Sequence, residues 1–110
     1  RDAAADTMSE VEETIERIRV QDGVENYVIC NRQGQVLRRR QDMTQDDAEK
    51  FATSMMALTM QARGVVRDMD PKNELMYMRV RARKHEIMVA FDTQFIVIVT
   101  QKWAPAQERT

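Results

Sequence analysis

Two segments, Ile87-Met-Val-Ala-Phe91 and Phe95-Ile-Val-Ile-Val99, are apolar at every position. A strand sends alternate side chains to opposite faces, so short unbroken apolar runs require a sheet covered on both sides and a central place within it. The polar break Asp92-Thr93-Gln94 between them allows only a tight reversal. The preceding strand, predicted over Leu75 to Arg81, is patterned differently: Met76, Met78 and Val80 share one face, while Tyr77, Arg79 and Arg81 share the other. Such a strand suits an edge or an interface, and an open edge is a pairing liability that a partner strand would remove.

What covers the sheet is legible upstream. Thr44 followed by Asp47 predicts the start of a long helix reaching about Arg67. At about 100° per residue, Phe51, Met55, Leu58, Ala62 and Val65 fall on one line, flanked by Ala48, Ala52, Met56, Thr59 and Val66. The combined arc is roughly 180°, wider than the roughly 100° needed to cover one sheet. Something besides the helix's own sheet is therefore expected to cover the excess.

The first half supplies a second helix and a hairpin. Ser9 and Glu12 have the spacing of a capping box, and Val11, Ile15 and Ile18 recur as a narrow apolar stripe, with Gly23 as the stop. Val24 to Asn31 and Gln35 to Arg40 flank Arg32-Gln33-Gly34, a Gly-bearing hairpin connection. Asp70-Pro71-Lys72-Asn73 predicts a turn, because Pro71 fixes φ and Asn73 tolerates unusual backbone angles. The order is α-β-β-α-β-β-β, which is an α+β, sandwich-like class: an antiparallel-rich five-stranded sheet with helices on its faces. Residues 1–7 are expected to form a disordered extension before a near-native start at Met8. The domain itself is assigned to residues 8–101 and a flexible tail to 102–110.

Composition narrows the function classes. No apolar run approaches a membrane span, and a formal net charge of −1 with 32% charged residues gives no global field for nucleic acid or an acidic membrane. Arg38-Arg39-Arg40 and the stretch from Arg79 to Lys84 are read as solvated faces or as contacts for an acidic partner segment. One cysteine, Cys30, excludes an intrachain disulfide framework and fits a buried thiol in a reducing compartment. One histidine, His85, supplies no metal site and is read as a surface or half-buried residue. No P-loop, nucleophile elbow or metal-ligand spacing occurs, and turn hydrogen bonds account for Asp68 and Asp70. Neither an enzyme nor a cofactor is expected.

Three stretches carry a resemblance. Met8-Ser-Glu-Val-Glu-Glu-Thr14, Arg67-Asp-Met-Asp-Pro71 with Asn73, and Glu86-Ile-Met-Val-Ala90 followed by Asp92 resemble the roadblock family of dynein light chains over about Met8 to Gln101. The second half carries most of it, the stretch from Gly34 to Ala48 is weak, and Ala90-Phe91-Asp92 stands where such light chains usually have Ala-Pro-Asp. The resemblance implies a roadblock-type fold extended across a homodimer, with long helices packed together and third strands joined. It also implies a dynein intermediate chain helix as partner, and a place in the cytoplasmic dynein complex or the ciliary axoneme. Phe51, Met55, Met56 and Thr59, with Met76 and Met78, are assigned to the dimer interface, and Tyr77, Arg79 and Arg81 to the partner helix. Ordinary core packing is the competing reading for the methionines. Roadblock-type domains also occur as scaffolds or regulators of small Ras-like GTPases, so this second function stays open.

Overall fold

The computed structural model describes residues 3–21, 23–92 and 94–102, with side chains from residue 8 onward. Helix α1 runs Ala3–Arg19, strand β1 Val24–Asn31, β2 Val36–Arg39, helix α2 Gln45–Met69, β3 Tyr77–Arg81, β4 His85–Phe91 and β5 Phe95–Lys102. The strands form one sheet in the order β2-β1-β5-β4-β3. Every neighbouring pair is antiparallel. The two wholly apolar strands thus lie inside the sheet, and the half-polar strand β3 forms its edge, as their patterns predict.

The start of helix α1 and the role of Gly23 differ from the sequence expectation. Helix α1 begins at Ala3 rather than at Ser9, so residues 3–7 are helical and no capping box forms at Ser9. The physical reason is the run Ala3-Ala4-Ala5, the strongest helix-forming residue type, which carries the helix past the expected cap. The turn at Asp70 forms as expected, with Asn73 N–H donating to Asp70 O at 2.9 Å and Asn73 at a negative φ. It acts through its side chain, whose Oδ1 accepts from the Glu74 N–H at 2.9 Å. Gly23 does adopt a φ of 84°, but it opens β1 rather than ending α1. Of the expected tail, Lys102 instead ends β5, and residues 103–110, like residues 1–2, lie outside the described residues.

Helix α2 starts where its cap is: the Asp47 N–H donates to Thr44 Oγ1 at 3.0 Å, satisfying an orphan donor of the first turn. Its buried line, Ala48, Ala52, Met55 and Thr59, rests on one sheet face. There Met55 packs with Cys30, Val89, Ile96 and Ile98, while Ala48 and Ala52 pack with Val28. Farther along, the Arg63 guanidinium lies 5.9 Å above the Phe91 ring. The opposite face is covered by α1, whose Val11 and Ile15 pack with Ile29 and Phe95. Each fully buried Ile, Val or Phe side chain contributes about 1.5–3 kcal/mol, so the paired runs in β4 and β5 anchor both layers at once.

Candidate partner-binding surface

The register decides which side chains share a face. Tyr77 lies opposite Ala90, Arg79 opposite Met88 and Arg81 opposite Glu86, so these six project to the α1 side. Met78 and Val80, opposite Val89 and Ile87, project to the α2 side. Because α1 packs over Ile29, Phe95 and Val97, its cover lies on β1 and β5, while β3 and β4 extend beyond it.

On that extension the charged groups are held in a set geometry. Glu86 is 8% exposed, yet its carboxylate receives Arg81 Nε at 2.9 Å and Arg81 Nη2 at 2.8 Å. Arg79 Nε stands 3.6 Å from the other carboxylate oxygen. Arg79 Nη2 also donates to the Tyr77 hydroxyl at 2.9 Å, and its guanidinium lies 5.6 Å from the Tyr77 ring centroid. The Tyr77 hydrogen bond, followed by the Glu86 charge, raises the Arg79 pKa above its ordinary value. The result is a ledge in which one nearly buried carboxylate orients two arginines about half exposed.

The other open surface is on α2. Leu58 is 45% exposed, Val65 59% and Met69 83%, and with Ala62 they repeat at helical spacing. This line leads to Met76, 60% exposed, where the chain turns into the edge strand. Along that edge, Phe91 N–H donates to Met76 O at 3.3 Å and Ala82 N–H to His85 O at 2.8 Å. Antiparallel alternation then turns the main-chain groups of Tyr77 and Arg79 outward.

The sequence-assigned residues therefore separate. Tyr77, Arg79 and Arg81 come together on one exposed face. Met76 is exposed, and Phe51, Met56 and Met78 are half-buried against the core. Met55 and Thr59 are 6% and 0% exposed, covered by the protomer's own sheet. On the same helix Val65 and Met69 are open; Val65 belongs to the roughly 180° arc seen in the sequence, and Met69 lies past the predicted end of that arc. Glu86, which holds this ledge together, was not singled out from the sequence. Its signal was the short break Ala82-Arg83-Lys84, which sets Glu86 across from Arg81.

The remaining reactive groups are committed elsewhere. Cys30 is wholly buried, and burial pushes its thiol pKa up to about 11. His85 is half-buried, with Nε2 2.9 Å from Glu25 Oε2. Arg38 pairs with Glu12 at 2.7 Å, and Arg39 donates to Met43 O at 2.8 Å. A recess of about 450 Å³ lies among Ile18, Val24, Tyr27 and Arg40, but Arg40 donates there to Val24 O and Glu25 O and pairs with Asp42. Among the described residues, no group of three His, Cys, Asp or Glu side chains could hold a metal ion, and no helix is long and apolar enough to cross a membrane.

A two-helix, five-strand antiparallel unit with this connectivity matches the Roadblock/LC7 domain family over residues 10–102. The chain belongs to that family. Among solved Roadblock/LC7-type structures, the Roadblock/LC7 domain from Streptomyces avermitilis superposes with a TM-score of 0.71 at 12% identity, covering 80% of this chain and 73% of that one. The gliding protein MglB from Thermus thermophilus gives a TM-score of 0.68 at 13% identity, covering 89% and 75%. A structure of MglB with a tetrameric arrangement gives 0.66 at 13% identity, covering 98% and 80%. At these identities the likeness is one of fold, and it confirms the Roadblock/LC7 architecture expected from the residues.

Proposed function

We propose that this chain is a non-catalytic dimeric adaptor, a roadblock-type dynein light chain that holds a helical segment of the dynein intermediate chain. The observation that carries the adaptor class is the coexistence, in one protomer, of an open β3 edge and an exposed apolar line along α2. An apolar helix face and a strand edge left together in water are both relieved by a second copy. In the proposed dimer Leu58, Val65, Met69 and Met76 provide the apolar contact, with Phe51, Met56 and Met78 behind them. Tyr77, Arg79 and Arg81 meet the partner helix.

The dynein assignment rests on the resemblance of Arg67 to Asn73 and Glu86 to Asp92. A location on the cytoplasmic dynein complex or in the axoneme follows from it. The alternative, a scaffold or regulator of a Ras-like GTPase, draws support from the fold likeness to MglB, a gliding protein. Affinity purification of the tagged chain from native extract separates them. Dynein heavy and intermediate chains in the eluate are the expected result; a Ras-like GTPase without them would replace the dynein reading.

A further inference from the structure

The hairpin joining β3 and β4 concentrates charge of one sign. Arg79 and Arg81 stand against the carboxylate of Glu86, Arg83 and Lys84 lie at the turn, and the Glu25 carboxylate pairs with the neighbouring His85. Arg83 and Lys84 are exposed and form no ion pair among the described residues. The chain as a whole has a net charge of −1, so this excess of cations is local. Beside it, on the same sheet face, Met88 and Ala90 are half-buried, and Arg79 Nη2 lies 3.8 Å from the Met88 sulfur. The surface therefore combines a short apolar floor with a cationic rim.

We propose that this face selects an acidic amphipathic helix, with the helix's apolar side on Tyr77 and Met88 and its carboxylates on Arg79 and Arg81. The proposal rests on the reading of this face as the partner-binding surface and adds the chemistry of the partner. Glu86 acts as a positioning residue. Its carboxylate takes Arg81 Nε and Nη2 and stands 3.6 Å from Arg79 Nε, which fixes where the two half-exposed guanidinium groups lie on this face. Arg83 and Lys84 supply long-range attraction without a fixed geometry.

Two synthetic amphipathic helices with identical apolar faces, one bearing glutamates and the other lysines on the polar face, test this by calorimetric titration against the full chain. The glutamate helix should bind at least about tenfold tighter, and its affinity should fall several-fold between about 50 and 300 mM salt. Equal binding of the two helices, or binding of neither, overturns the proposal. Glu86→Gln raises the local positive charge, so a simple charge patch would bind the acidic helix more tightly. Positioning requires the opposite, a loss of about tenfold with the fold retained by circular dichroism. Tighter binding by that variant overturns the role of Glu86. Arg83→Gln with Lys84→Gln, both at exposed sites, should flatten the salt dependence and leave high-salt affinity within about twofold; an unchanged salt slope overturns their steering role. Because the probes are synthetic, their failure to bind is distinguishable from an absence of motor chains in the native eluate.

Discussion

Thr59 is the residue whose surroundings fit it least. It is fully buried on the sheet-facing side of α2, and its hydroxyl has no hydrogen-bond partner among the described residues. A buried unpaired polar atom costs about 1–3 kcal/mol, and valine has nearly the same shape without the hydroxyl. Thr59→Val should therefore raise stability by about 1 kcal/mol, read as a higher urea midpoint at unchanged slope. Cys30 behaves in the opposite way, because the chain around it suits a neutral thiol. Its native reaction with a thiol reagent at neutral pH should be slow and should accelerate on unfolding. Below about pH 9 the thiol is protonated in both folded and unfolded chains. As pH rises toward about 11 the unfolded chain ionises first, so its contribution to stability is lost across that window. The stability difference between wild type and Cys30→Val, followed by denaturant titration from about pH 8 to about pH 11, should shift toward the valine variant. Cys30 was legible as core from its apolar run, whereas Thr59 was not, because periodicity placed it on a flank without saying how far the sheet extends beneath it.

Elements followed their local signals where those signals were chemical. The Thr44 cap formed as spaced, and Thr44→Ala should cost about 1 kcal/mol in thermal unfolding. Strands β1 and β4 occupy the expected ranges, and β2, β3 and β5 differ from theirs only at their ends. The departure at α1 has a local cause too: three consecutive alanines outweigh a serine that would otherwise cap. Helix α2 shows where local signals stop. Its sequence specifies a broad apolar arc, but only the sheet beneath divides that arc into Ala48, Ala52, Met55 and Thr59, which are buried, and Leu58 and Val65, which are not.

For the whole molecule, the exposed part of the arc and the edge at β3 make a testable assembly. Sedimentation at micromolar concentration should give the dimer mass. Because Val65 is 59% exposed in the protomer, Val65→Asp should leave the fold intact by circular dichroism. It should weaken association at least about tenfold by placing a carboxylate in an apolar contact. A wild-type monomer would remove the dimer from the proposal, while an unaffected Val65→Asp dimer would move its contact away from this line.

The sequence alone determined the class of fold, the element order, the central placement of the two apolar strands and the semi-polar character of β3, because these follow from side-chain periodicity along one segment. The resemblance in its second half also pointed to the family that residues 10–102 match. Tertiary structure alone decided which part of the α2 arc stays open, and that Glu86 sits nearly buried beneath Arg79 and Arg81. Both depend on how far one element reaches over another and on the register between strands, quantities set by packing across the sheet rather than by neighbours in the chain.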